Sequence, residues 1–60
     1  MTRPEIMAAL ARIMGKADAK HWLLERASIR EHDGEQTRAD AEAGAWDDAK
    51  RLIRRSRDHA

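Results

Sequence analysis

The four residues His32-Asp33-Gly34-Glu35 interrupt a sequence that otherwise favours helix along nearly its whole length. Almost every residue from Pro4 to Arg57 is tolerated in a helix, and no alternation of apolar and polar residues indicates a strand. Gly34 suits a left-handed helix stop or a turn. The sequence therefore predicts one all-α domain over residues 1–60, an antiparallel hairpin with helices over residues 3–31 and 35–57.

The expected helix starts carry capping residues. Thr2 and Glu5 have the spacing of a capping box, in which each side chain accepts a hydrogen bond from the other residue's backbone N–H. Two alternative caps compete at the start of the second helix. These are the pairs Asp33 with Gln36 and Thr37 with Asp40.

Gly15 is the main ambiguity in the first helix. In a continuous helix it lies away from the apolar face and costs about 1 kcal/mol relative to alanine. It can instead end a short first helix, with Asp18 capping a second. The sequence thus leaves an alternative open, three short helices with a break at Gly15. Gly44 is expected on the outer face of the last helix.

The apolar content is small for a hairpin that must fold alone. Hydrophobic residues make up 42% of the 60 residues, but 12 of them are alanine, and there is no cysteine for a disulfide. Chains of this size bury only about 60% of the surface that the unfolded chain exposes. We therefore expect two hairpins to pair into a dimeric four-helix bundle. The expected main stripe of the first helix is Ile6, Ala9, Leu10, Ile13, Ala17, Leu24 and Ala27.

In its length, its expected hairpin and its start Met1-Thr2-Arg3, the chain resembles the Rop-type plasmid RNA regulators. That resemblance implies a dimeric four-helix bundle. Members of that family bind RNA hairpins through a face of their first helix. Here only Arg3 supplies a basic group of that kind, and Leu10, Met14 and Glu25 depart from the polar, basic surface that RNA binding needs.

A second apolar line runs along the first helix, away from its main stripe. Trp22 and Ile29 are seven residues apart, and Met7 lies close to the same line. Exposed apolar patches usually mark an interaction surface. We expect Met7, Trp22 and Ile29, with Arg26 on the rim, to form a protein interface between copies or with a partner. The alternative is that Trp22 folds over the edge of the hairpin.

The second helix contributes two further sets of residues. Trp46 lies on a wide, alanine-rich face and is assigned to the core or to the dimer interface. Basic residues gather at the C-terminal end, where they complement the helix dipole and offer candidate phosphate contacts. These residues are Lys50, Arg51, Arg54, Arg55 and Arg57.

No pattern of catalytic or metal-binding residues is recognisable. His21, His32 and His59 are not spaced from one another as metal ligands on a helix are. Asp47 and Asp48 are adjacent, so their side chains point about 100° apart and cannot share a proton as a catalytic pair does. No glycine-rich phosphate loop, apolar membrane span or signal peptide occurs. We expect a cytoplasmic protein that is not an enzyme and has no cofactor, metal or membrane partner.

The remaining classes of function are binding functions. Arginine outnumbers lysine 9 to 3 and alanine is abundant, which suggests a bacterial or phage gene. We expect a small regulatory protein, acting as an inhibitor, adaptor or anti-activator, that binds another protein through its helices. The alternatives are a nucleic-acid-binding regulator that uses the basic C-terminal helix end, and an assembly or capping subunit of a larger complex.

Overall fold

A computed structural model describes residues 1–58, which fold into three helices without a strand. Helix α1 spans Arg3–Met14, α2 spans Lys16–His32 and α3 spans Arg38–Asp58. The all-α fold class is therefore confirmed. The architecture corresponds to the alternative with a break at Gly15, and the single helix predicted over residues 3–31 was wrong.

Gly15 ends one helix and begins the next. Its φ of 93° and ψ of 153° belong to a region of backbone space that is essentially open only to glycine. Its N–H donates to the Ala11 carbonyl at 2.8 Å, and its carbonyl accepts from the Ala19 N–H at 2.9 Å. The direction of the chain thus changes within one residue. Asp18, the expected cap of α2, makes no side-chain capping bond.

The connection between α2 and α3 uses a different residue for its left-handed conformation than expected. Glu35, with a φ of 52°, adopts it, and Gly34 does not. Gly34 is required for another reason, since a Cβ there would lie 2.8 Å from the Arg30 carbonyl oxygen. The glycine therefore allows the chain to pass close to the end of α2.

Capping explains where two of the helices begin. At α1 the predicted box forms, with the Glu5 N–H donating to Thr2 Oγ1 at 3.4 Å and the Thr2 N–H donating to Glu5 Oε1 at 3.1 Å. At α3 the second of the two competing caps forms, and the Asp40 N–H donates to Thr37 Oγ1 at 3.2 Å. Consequently α3 begins three residues later than the predicted start at residue 35.

The core lies where the three helices meet. Its large buried side chains are Ile6 and Leu10 from α1, Leu23 from α2 and Ile53 from α3. Ala19, Ala45 and Ala49 fill the space between them. Small side chains at these positions let the helices approach closely.

The break at Gly15 also decides which leucine of α2 is buried. Leu24 was expected in the stripe that continues from α1, but its side chain is 65% exposed, whereas Leu23 is 7% exposed. Ile13 and Ala17 from the same predicted stripe are exposed too. Because Gly15 leaves helical φ and ψ, α2 no longer follows the phase of α1 and turns Leu23 inward.

Helices α2 and α3 run in opposite directions, and Gly44 lies between them. Trp22 in the first half of α2 lies near Leu52, whereas Arg30 near the end of α2 lies near Gly44. Gly44 was expected on the outer face. It is half-buried instead, and a Cβ there would lie 2.7 Å from the Arg30 Nη1 atom.

Candidate interaction surface

One groove runs between α2 and α3 and has a volume of about 350 Å³. Its floor includes Trp22 and Leu52, which are half-buried and pack against the core. We call it the Trp22 groove. Its lining residues are Trp22, Arg26, Asp48, Arg51, Leu52 and Arg55.

Asp48 organises the charges of the Trp22 groove. Its side chain is 10% exposed, and its Oδ2 atom accepts hydrogen bonds from Arg26 Nε at 3.2 Å and Arg30 Nε at 2.9 Å. Arg30 Nη2 donates to Oδ1 at 2.8 Å. The bonds from Arg30, foremost, hold the pKa of the Asp48 carboxyl below its ordinary value. Asp48 is therefore ionised at neutral pH and is held by arginines of α2.

The Trp22 groove carries more positive than negative charge. The Arg26 guanidinium carbon lies 5.6 Å from the centre of the Trp22 ring, in the geometry of a cation–π contact. Arg51 Nη1 lies 3.7 Å from Asp48 Oδ1, and Arg55 completes the rim. Three arginines in the lining thus face one carboxylate.

A second groove lies on the opposite side of the contact between α2 and α3. It has a volume of about 430 Å³ and an apolar floor that includes Leu23, Ala27 and Ala45. The Arg3 guanidinium carbon lies 5.4 Å from the centre of the Trp46 ring. We call it the Leu24–Trp46 groove. Its lining residues are Arg3, Leu23, Leu24, Ala27, Ser28, Glu31, Arg38, Glu42, Ala45 and Trp46.

The rim of the Leu24–Trp46 groove is balanced in charge. Arg3 and Arg38 supply two positive groups, and Glu31 and Glu42 supply two negative groups. Arg38 Nε lies 3.6 Å from Glu42 Oε1. The two grooves therefore differ in electrostatic character, one being cationic and the other neutral.

The predicted interface residues occupy several places. Trp22 and Arg26 meet in the Trp22 groove, whereas Trp46 belongs to the other groove. Met7 is half-buried against the core, and Ile29 is 51% exposed. Neither Met7 nor Ile29 lines either groove. Trp22 and Ile29 nevertheless lie on the same side of α2, because seven residues make nearly two helical turns.

The predicted phosphate-binding residues of α3 line two neighbouring depressions. Arg51 and Arg55 line the Trp22 groove. Lys50, Arg54 and Arg57 line a shallow depression beside Met1. Arg51 and Arg54 are three residues apart and are therefore neighbours on the helix surface, so the two sets of basic residues adjoin each other.

The sequence did not predict that Leu24 is exposed, that Gly44 lies against Arg30, or that Asp48 binds the arginines of α2. Arg26 and Arg30 are four residues apart, so they share a helix face and can bind one carboxylate. That spacing is the signal in the sequence that points to an ion-pair centre. It does not show which carboxylate is bound, because Asp48 lies 18 residues from Arg30 and 22 from Arg26.

Neither His21 nor His32 lines either groove. His21 Nε2 lies 3.7 Å from Glu25 Oε2 on the exposed surface of α2, and His32 is exposed at its end. His59 falls outside the described residues. Within residues 1–58, no group of three or more potential ligands is placed to hold a metal ion. None of the helices in that range is long and apolar enough to cross a membrane.

Comparison with known proteins gives no relative. No protein-family model, curated protein or solved structure matches this chain.

Proposed function

We propose that this protein is a small cytoplasmic regulator that binds another protein through its helices, as an inhibitor, adaptor or anti-activator. The observation that carries the proposal is the Trp22 groove, where a half-buried tryptophan lies among arginines. Tryptophan and arginine are enriched among the residues that anchor protein interfaces. The ring also needs little ordering on binding, because Arg26 and the core already hold it.

The chemistry of the groove supports binding rather than catalysis. Its only carboxylate, Asp48, accepts hydrogen bonds from Arg26 and Arg30. Since these bonds lower its pKa, it holds no proton to donate at neutral pH. Among the described residues, the lining contains no serine, cysteine or histidine that could act as a nucleophile or base. We accordingly propose that the protein is not an enzyme.

We further propose that the protein forms a homodimer in which a second copy covers the Leu24–Trp46 groove. Leu24 is 65% exposed beside an apolar floor. A two-fold interface brings the same patch together from both subunits, so its charges must complement themselves. The rim meets this condition with two arginines and two glutamates. Two three-helix subunits would assemble six helices rather than the four of the predicted bundle.

A second candidate function is nucleic-acid binding. Trp22 with Arg51 and Arg55 combines an aromatic ring and positive charge, as single-strand binding sites do. It is favoured less, because the described lining of the groove offers one aromatic ring, Trp22, and no second ring on which a following base could stack. As an assembly or capping subunit, the protein would use the same two grooves in a permanent complex.

Site-specific photo-crosslinking in the cell that makes the protein tests the main proposal. The photoreactive residue benzoylphenylalanine replaces Ile29, which is exposed on the same side of α2 as Trp22. The matched control carries it at Ala43, an exposed position of α3 outside both grooves. We expect a discrete protein adduct at position 29 that is absent at position 43.

Variants of the groove decide whether the adduct depends on it. Trp22→Ala should abolish the adduct while circular dichroism shows retained helix. Because Trp22 also touches the core, Arg55→Ala at the exposed rim gives a second variant that leaves the packing intact. Equal adducts at both positions, adducts sensitive to nuclease but not to protease, or no adduct at all would overturn the proposal.

A further inference from the structure

The arginines in and beside the Trp22 groove differ in the number of hydrogen bonds and ion pairs that they make with Asp48. Arg30 makes two hydrogen bonds to Asp48, and Arg26 makes one. Arg51 is held only by a 3.7 Å ion pair on its own helix, and its side chain is 79% exposed. Arg55 forms no ion pair with any part of the chain that the structure describes. The guanidinium groups of Arg51 and Arg55 on the rim are therefore available to bind an anion.

An apolar floor lies directly beside these two arginines. Trp22 and Leu52 are half-buried and line the same groove. A ligand that satisfies both features must therefore carry negative charge next to an apolar group. A protein segment with acidic residues around a leucine-like side chain has this composition, and arginine binds carboxylates with favourable two-point geometry.

The composition of the groove lining favours such a segment over a nucleic acid. A phosphate backbone is bound by positive groups spread along its path. Single-stranded nucleic acid is also bound by aromatic rings on which successive bases stack, whereas the described lining of the groove has one aromatic ring, Trp22, beside the aliphatic side chain of Leu52.

We infer that the Trp22 groove binds an acidic protein segment, with an apolar side chain on Trp22 and Leu52 and carboxylates on Arg51 and Arg55. This inference rests on the proposed function, namely that the groove is a protein-binding surface. It specifies the chemistry of the partner. Electrostatic attraction of this kind also predicts fast association that weakens with salt.

A defined peptide tests the inference through the fluorescence of Trp22. The Trp46→Phe variant leaves Trp22 as the only tryptophan in the chain. The probe is a capped peptide with one leucine flanked on each side by two glutamates, and its control has glutamine in place of every glutamate. We expect saturable change in Trp22 emission with the glutamate peptide and binding about tenfold weaker with the glutamine peptide.

Two adjacent arginines supply a matched pair of variants. Arg55 lines the groove, whereas Arg54 faces the separate depression. Arg55→Gln should weaken binding about fivefold, and Arg54→Gln should change it less than about twofold. Raising the salt concentration from about 0.05 to about 0.5 M should weaken binding of the glutamate peptide more than that of its control.

Several results would overturn the inference. They are equal binding of the two peptides, equal effects of Arg54→Gln and Arg55→Gln, absence of binding, and tighter binding of a ten-nucleotide oligothymidine than of the glutamate peptide. The crosslinking experiment separates this failure from that of the proposed function. If the adduct requires Trp22 but survives the combined Arg51→Glu and Arg55→Glu changes, the groove binds a protein whose segment is not acidic. If no protein adduct forms, the proposed function itself fails.

Discussion

Arg30 binds Asp48 through two parallel hydrogen bonds, of 2.9 Å from Nε to Oδ2 and 2.8 Å from Nη2 to Oδ1. Together with the 3.2 Å bond from Arg26 Nε to Asp48 Oδ2, this pair joins α2 to α3. Gly44 lies four residues before Asp48, and a Cβ there would lie 2.7 Å from Arg30 Nη1. A side chain at position 44 would therefore require the Arg30 guanidinium to shift from the position in which it binds Asp48.

The effect of Gly44→Ala on stability should change sign with the residue at position 30. In the wild-type protein the added methyl group displaces the Arg30 guanidinium and weakens its bonds to Asp48, so we expect destabilisation. In an Arg30→Ala background only the gain in helix propensity remains, and stability should rise by about 1 kcal/mol. Urea unfolding of the four proteins, followed by circular dichroism, measures both effects. An effect of the same sign in both backgrounds would contradict the proposed role of Gly44.

Acid should remove the contribution of Asp48 to stability. The bonds from Arg30 lower the folded-state pKa of this carboxyl below the 3.8 of an unperturbed aspartate. Its contribution is therefore fully present above about pH 4 and is lost as the pH falls through the folded-state pKa. Asp48→Asn should lower the free energy of unfolding by about 1–3 kcal/mol at neutral pH. The difference in unfolding free energy between this variant and the wild type should shrink on acidification.

The neighbouring aspartate provides the control for that titration. Asp47 is exposed and its Oδ1 lies 3.4 Å from Lys50 Nζ of its own helix, with no bond to α2. Asp47→Asn should change stability by less than about 0.5 kcal/mol at neutral pH. Urea unfolding between neutral pH and about pH 2.5 compares the three proteins. A constant difference between wild type and Asp48→Asn would show that the carboxylate does not titrate with unfolding.

Local signals in the sequence were sufficient for the helical class, the capping box at Thr2 and the connection after α2. They were insufficient at Gly15, because glycine within a helix costs only about 1 kcal/mol and packing between helices can exceed that. The choice between Leu23 and Leu24 as the buried residue followed from that single position. One wrongly predicted backbone conformation therefore led to the wrong assignment of Ala17 and Leu24 to the core, whereas Ala27 does pack against it.

The candidate site was less predictable than the fold. Trp22 and Arg26 were identified from their position on α2, but the role of Asp48 depends on the register between α2 and α3. A periodic pattern within one helix carries no information on that register. The division of the basic residues of α3 between two surfaces likewise depends on which side of the helix faces α2.

Gly15→Ala should destabilise the protein. A Cβ at this position meets no atom within 4 Å, so the cost comes from the backbone, whose φ of 93° is unfavourable for any side chain. We expect a loss of about 1–3 kcal/mol. In a continuous helix the same change would instead stabilise by about 1 kcal/mol, so the sign of the effect measured by urea unfolding distinguishes the two architectures.

Two adjacent leucines test the orientation of α2. Leu23 is 7% exposed and packs in the core, whereas Leu24 is 65% exposed. Leu23→Ala should therefore cost about 2–4 kcal/mol, and Leu24→Ala less than about 0.5 kcal/mol, in dilute solution where monomers predominate. Thermal and urea unfolding compare the pair directly. The reverse order would place α2 in the phase of a continuous first helix.

Leu24→Ser should shift the proposed dimer toward monomer, whereas Ile29→Ser should not. Both side chains are large, apolar and exposed, but they point about 140° apart on α2, and only Leu24 borders the neutral groove. Sedimentation over a range of concentrations should show dimerisation weakened about tenfold or more by Leu24→Ser. A monomer at all concentrations, or equal effects of the two changes, would contradict this interface. Because the rim is balanced in charge, dimerisation should respond weakly to salt, in contrast to binding at the cationic Trp22 groove.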